Sequence, residues 1–203
     1  MSYDQTKVAF IDTETLGLDP DYHPVWEIAV IVDGEERSWF QRVGPRALRD
    51  AEPAALEMTG FDERYDDIAA LDPHDSIDRF NSLVRGRHLV GMCPWFDSER
   101  LHRTHRVTLS PVEQAAGFEP RRHPWHYHLI DVETMIVGYM QGMYADKPDL
   151  LAPSKADLPW KSRDLIRFIG IDPDDRKFLP GHQALTDARL AKACFDEIMG
   201  TPT

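Results

Sequence analysis

The sequence predicts an α/β fold, a mixed five-stranded sheet with helices on both faces. Three observations predict it. Val8-Ala9-Phe10-Ile11 is an unbroken apolar run, as expected of a central strand covered on both sides, because a strand with one wet face alternates apolar and polar residues. Asp33-Gly34 stands between strand-like runs at residues 24–32 and 37–43, a hairpin signal that starts the sheet antiparallel. From Asp72 onward strand-like and helix-like segments alternate, the pattern of crossover units that extend a sheet with parallel strands.

The first run ends in chemistry. Asp12 and Glu14 follow it, separated by one residue, and in an extended chain residues i and i+2 point the same way. Two carboxylates held side by side repel, so a shared proton or a divalent cation is needed to offset them. Gly17 and Pro20 then turn the chain. Residues 45–71 read as helical and acidic, with Asp62, Glu63, Asp66 and Asp67 a solvated face. Asp72-Pro73 starts a helix reaching about Val84, and Arg85-Gly86-Arg87 leads into a second short apolar run at Leu89. That run closes on Phe96-Asp97, and a polar, helix-like segment follows from Ser98 to Arg106. Near the end, Gly181-His182-Gln183-Ala184-Leu185-Thr186-Asp187 places a loop histidine five residues before an acid. Asp187 enters a segment whose apolar residues Leu190, Ala193, Cys194 and Ile198 recur at helical spacing.

An Asp-x-Glu, then a Phe-Asp, then a His-x4-Asp, in that order, resembles the DEDD exonuclease superfamily in its DEDDh, or DnaQ-like, branch. Glu27-Ile28-Ala29-Val30 looks like the second strand of that family, Leu56-Glu57-Met58-Thr59-Gly60 like its Thr-Gly turn, and Leu129-Ile130-Asp131 like its last strand. The likeness covers nearly the whole chain and implies a ribonuclease H-like fold, which the meander followed by strand-helix alternation fits. Two departures stand out. Gly91-Met92-Cys93-Pro94-Trp95 replaces a Gly-His-Asn that relatives often carry, and Leu16 stands where they commonly have a second threonine. Both bear on substrate handling and leave the carboxylates intact.

The resemblance implies a metal-dependent 3′–5′ exonuclease that hydrolyses phosphodiesters at 3′ ends, single-stranded DNA being the expected substrate, and releases nucleoside 5′-monophosphates in proofreading or end-trimming. Asp12, Glu14, Asp97 and Asp187 would hold two Mg²⁺ or Mn²⁺ ions roughly 3.5–4 Å apart, hard cations that prefer carboxylate oxygen. His182 would act as general base, a role suited to an imidazole with an ordinary pKa of roughly 6.5. Thr15, Leu16, Leu18 and Trp95 are the expected substrate contacts, Leu18 as a wedge beside the terminal base. Phe96 is expected in the core. An RNA-trimming oligoribonuclease, or a non-catalytic nucleic-acid or protein-binding module on the same fold, are the alternatives. A proofreading role would imply a polymerase partner, which no residue here identifies.

Composition limits the rest. With 203 residues and 42% hydrophobic content, one domain over residues 1–203 with a substantial core is expected. Apolar runs are too short to cross a bilayer and Met1-Ser2-Tyr3-Asp4 is no signal sequence, so a cytoplasmic location without membrane attachment is expected. Cys93 and Cys194, far apart and without a Cys-x2-Cys, read as free thiols. A net charge of −12 disfavours a broad grip on duplex DNA, which needs Lys and Arg to displace counterions, and favours a footprint of a few nucleotides at a strand end.

The stretch Arg121-Arg122-His123-Pro124-Trp125-His126-Tyr127-His128 reads as packing more than as a metal site, since His126 and His128 share a strand face but lack a third ligand at zinc spacing. Its arginines would serve as backbone contacts. Asp131, although it ends a strand as Asp12 does, reads as the N-cap of a helix from Val132. Residues 142–157 read as a loop and residues 159–169 as a helix, with Lys155, Lys161 and Arg163 on a mostly solvated face.

Overall fold

The computed structural model of the chain describes residues 3–108, 123–143 and 160–200. Five strands form one mixed sheet in the order β3-β2-β1-β4-β5: β1 (Val8–Thr15), β2 (Val25–Val32), β3 (Glu35–Phe40), β4 (His88–Gly91) and β5 (Ile130–Asp131). The first three pair antiparallel, and β1-β4 and β4-β5 pair parallel. The helices are α1 (Pro45–Asp50), α2 (Pro53–Thr59), α3 (Phe61–Arg64), α4 (Pro73–Val84), α5 (Pro94–Thr108), α6 (Val132–Met143), α7 (Ser162–Phe168) and α8 (Ala184–Met199). This is the mixed sheet that the sequence predicts.

The alternation of side chains along β1 divides the core. Val8 and Phe10 face one side, where Ile136 and Met140 of α6, Leu165 of α7 and Ala188, Ala191 and Phe195 of α8 cover them. Ala9 and Ile11 face the other, under Ile77, Phe80 and Val84 of α4 and Leu101 of α5. Asp12 and Glu14 continue the Val8-Phe10 parity, so the acids emerge on the face that carries α8.

Asp33 and Gly34 make the hairpin turn with φ of 53° and 80°, the paired positive values that a two-residue turn between twisted strands requires. Strand β3 begins two residues earlier than the run at 37–43 indicates, and its exposed Glu35, Glu36 and Arg37 keep this sheet edge charged. The acidic segment 45–71 is broken into three short helices. Glycines and prolines explain this: Pro45 and Pro53 each open a helix, and Gly60 in the left-handed conformation closes one. Asp131 Oδ1 accepts a hydrogen bond from Thr134 N at 2.7 Å, as a helix cap does. Trp125 is buried in the second core, while Tyr127 is exposed and His126 lies against His88 with ring centroids 3.9 Å apart and the rings tilted by 36°. Arg163 of α7 is ion-paired with Asp174. Arg121, Arg122, Lys155 and most of the loop at 142–157 lie outside the described residues. Among the described residues no helix is long and apolar enough to cross a membrane.

Candidate active site

Four segments meet at the carboxyl end of β1. Asp12 and Glu14 come from the strand itself, Asp97 from the first turn of α5 after β4 ends at Gly91, and Asp187 from the first turn of α8. His182 precedes α8 with φ 58°, exposed to solvent. Asp12, Glu14 and Asp187 can each bring one carboxylate oxygen within 4.8 Å of the others. Asp97 is not part of that tight triplet, but it lines the same cleft of about 230 Å³ together with Asp12, Thr13, Glu14, Met92, Cys93, Phe96, His182 and Asp187. A larger cavity of about 490 Å³ lies beyond the Leu18 turn, between residues 20–24, α1 and α5, and contains none of these acids.

The electrostatics follow from crowding. Burial, then the charges of Asp187 and Glu27, push Glu14 up to about 8, against which Arg64 acts in the opposite sense. Asp12 is driven well above the usual carboxylate range by its enclosure and by Asp97 and Glu14. Burial also raises Asp97, to about 6, although hydrogen bonds from Thr13 pull it down; Thr13 Oγ1 lies 2.6 Å from Asp97 Oδ1. Asp187 is raised by burial, with the His182 amide, 2.9 Å from Oδ2, opposing. Such a cluster is costly to ionise unless cations enter it. The four acids offer carboxylate oxygens around a cleft, donors that fit hard divalent ions such as Mg²⁺ or Mn²⁺.

The expected substrate contacts divide. Leu18 and Trp95 are 70% and 58% exposed, Leu18 in the turn that follows β1 and Trp95 in the first turn of α5, two residues before Asp97. Leu16, also expected to contact substrate, is fully buried, so its side chain does not face the cleft. Strict alternation after Glu14 would aim Leu16 at the acids. The pairing with β2 instead shifts register between Glu14 and Thr15, turning Leu16 into a cluster with Trp26, Val43 and Phe61. Thr15 is 7% exposed and its hydroxyl donates to Gly17 O at 2.7 Å, inside the turn. Gly17 is required there, since φ is 152° and a Cβ would fall 2.4 Å from His23 Nδ1. Phe96, expected in the core, is half-buried on the cleft wall, with the Arg100 guanidinium 3.5 Å over its ring.

Residues that sequence reasoning missed complete the site. Glu27 and Arg64 pair at 2.5 Å beside Glu14, and Thr13 holds Asp97. A signal for Glu27 was present: it is the single charge in the wholly buried strand Val25–Val32. Arg64, within an acidic surface-like run, carried none.

Comparison with solved structures is decisive on the fold. Escherichia coli exonuclease I in its zinc-bound complex with single-stranded DNA matches with TM-score 0.66 and 17% identity over 97% of this chain. Shared fold with exonuclease I is thereby established. The same enzyme bound to a dA16 oligonucleotide matches with TM-score 0.62 and 18% identity over 96% of the chain. The moderately thermophilic exonuclease I of Methylocaldum szegediense matches with TM-score 0.58 and 20% identity over 94%. The chain spans 41%, 40% and 39% of these exonuclease I chains, respectively. No family model matches the sequence, and no curated protein matches it.

Proposed function

We propose that the protein is a metal-dependent 3′–5′ exonuclease of the DEDDh type that acts on single-stranded DNA and releases nucleoside 5′-monophosphates. The observation that carries this reading is the convergence of Asp12, Glu14 and Asp187, with Asp97 in the same cleft and His182 at its rim. The neighbours solved on single-stranded DNA and on dA16 support the choice of polymer.

In this reading Asp12, Glu14, Asp97 and Asp187 hold two Mg²⁺ or Mn²⁺ ions. When bound, such ions acidify water and stabilise charge on the leaving oxygen. His182 accepts the proton of the attacking water, and its exposed position at the rim gives it access from solvent. Leu18 wedges beside the terminal base and Trp95 stacks on it, a contact worth about 1–3 kcal/mol. Water attacks the terminal phosphodiester, the P–O3′ bond breaks, and the phosphate stays with the released nucleotide. The acidic surface, at net charge −12, limits grip to the strand end.

The test is parallel incubation of the purified protein with 5′-labelled single-stranded DNA, the same sequence in RNA, and a primer-template with a mismatched 3′ end. Stepwise shortening of the DNA in Mg²⁺ is expected. Shortening of RNA alone would turn the reading to an oligoribonuclease, and internal cuts would end the exonuclease assignment.

A further inference from the structure

We infer that the ion pair between buried Glu27 and half-buried Arg64 is a positioning device that holds the His182 loop against the acids. The inference rests on the functional reading above for its catalytic consequence, and on geometry alone for the splint itself.

The pair touches the loop at two consecutive links. Glu27 Oε1 takes Arg64 Nη2 at 2.5 Å, and Glu27 Oε2 takes the backbone N–H of Ala184, the first residue of α8, at 3.2 Å. Arg64 Nη1 donates to the carbonyl of His182 at 3.4 Å and to the carbonyl of Thr59 at 2.8 Å, which anchors it to the end of α2. Its guanidinium lies 5.1 Å over the Trp26 ring. A third tether comes from Asp187, whose Oδ2 accepts the His182 N–H at 2.9 Å. His182 thus has both its peptide groups fixed by side chains of other segments, while its imidazole is exposed. A left-handed φ of 58° at a non-glycine residue costs free energy and persists only where neighbours over-determine it.

The placement of Glu27 has a price that explains Arg64. Glu27 is the cross-strand partner of Glu14, so both carboxylates leave the same face of the sheet as directly opposed like charges. Nothing about strand formation asks for an acid there: the other residues of Val25–Val32 are uncharged and buried. An acid in that position is retained at the cost of repulsion towards the site, and the side chain that offsets it also grips the His182 carbonyl. A pair that only balanced charge would be replaceable by apolar residues of like volume at little loss. A pair that splints the loop would not.

Two variants separate these cases. Arg64→Met leaves the Glu27 charge buried and unpaired, and it is expected to lower melting temperature as well as kcat. The double variant Glu27→Gln with Arg64→Met removes the unpaired charge and keeps an amide oxygen for the Ala184 N–H. The splint predicts that the double variant recovers its melting temperature but stays at least tenfold below the parent in kcat, with KM and calorimetric Mn²⁺ affinity within a few-fold of the parent. Recovery of kcat together with melting temperature overturns the inference. A second readout needs no activity: amide hydrogen exchange at His182, whose N–H is held by Asp187 Oδ2, is expected to quicken at least tenfold in the double variant while mid-helix amides of α8 hold their protection. Unchanged exchange there overturns the splint even if the parent proves not to be a nuclease, whereas an inactive parent with quickened exchange retires the nuclease reading alone.

Discussion

Thr13 Oγ1 and Asp97 Oδ1 lie 2.6 Å apart, a hydrogen bond between the middle of β1 and the first turn of α5 that ties the second acidic segment to the first. Thr13 is the residue between the two acids of β1 and points to the opposite side of the strand from them, which is the side that α5 covers. Replacing it with valine keeps the volume and removes the donor. The Thr13→Val variant should lose about 1–3 kcal/mol of stability where Asp97 is ionised. Since Asp97 titrates at about 6, the loss should be larger at pH 8 than at pH 5. Urea unfolding in EDTA at the two pH values checks this; an equal loss at both would assign the effect to packing.

The acid cluster sets the sign of the pH dependence of the metal-free fold. Glu14 goes from an ordinary 4.5 to about 8 on folding, so between those values the folded state keeps a proton that the unfolded chain has released. Stability therefore falls as pH rises through that window. Melting temperature in EDTA should drop from pH 5 to pH 8, and Glu14→Gln should flatten the slope. Saturating Mn²⁺ should restore stability at pH 8, by about 2.7 kcal/mol at a hundred times Kd. A metal-free protein that gains stability over this range would contradict the charge arrangement.

Leu16 and Leu18 are two residues apart and should behave oppositely. Leu16 is fully buried, and its change to alanine should cost about 2–5 kcal/mol of stability. Leu18 is 70% exposed, so Leu18→Ala should leave the melting temperature within a few degrees while weakening cleavage of single-stranded DNA. Paired melting and kinetic measurements on the two variants decide it; equal loss of melting temperature in both would place Leu18 in the core.

His182→Ala should lower the rate by about 10²–10⁴-fold if the imidazole supplies general base catalysis, with Mn²⁺ affinity near that of the parent. Calorimetry beside single-turnover kinetics separates the roles. Loss of metal binding along with rate would make His182 a ligand or a prop.

Much of this site was legible because strand and helix periods place side chains predictably. Asp12 and Glu14 share a face because β1 is extended through both, and Asp187 reaches them because the His-x4-Asp spacing spans one loop and one helical turn. What failed was local and geometric. The register shift after Glu14 has no signature in Thr15-Leu16-Gly17, so the turn of the Leu16 side chain into the Trp26 cluster could not be read from the sequence. Phe96 reads as core from its type, yet the turn through Cys93 and Pro94 sets it on the cleft wall. Arg64 was illegible because its partners, Glu27 and the His182 carbonyl, lie 37 and 118 residues away, and no local pattern announces such a contact.

The measurement that tests the central claim most directly is single-turnover cleavage of 5′-labelled single-stranded DNA by the parent and by Asp187→Ala, each in Mg²⁺ and in EDTA. The parent in Mg²⁺ should shorten the strand one nucleotide at a time from its 3′ end, with no product in EDTA. Asp187→Ala should keep a folded melting transition and lose cleavage in both conditions. Cleavage by the parent in EDTA, or activity of Asp187→Ala within a few-fold of the parent in Mg²⁺, would contradict catalysis by metal ions held on these carboxylates.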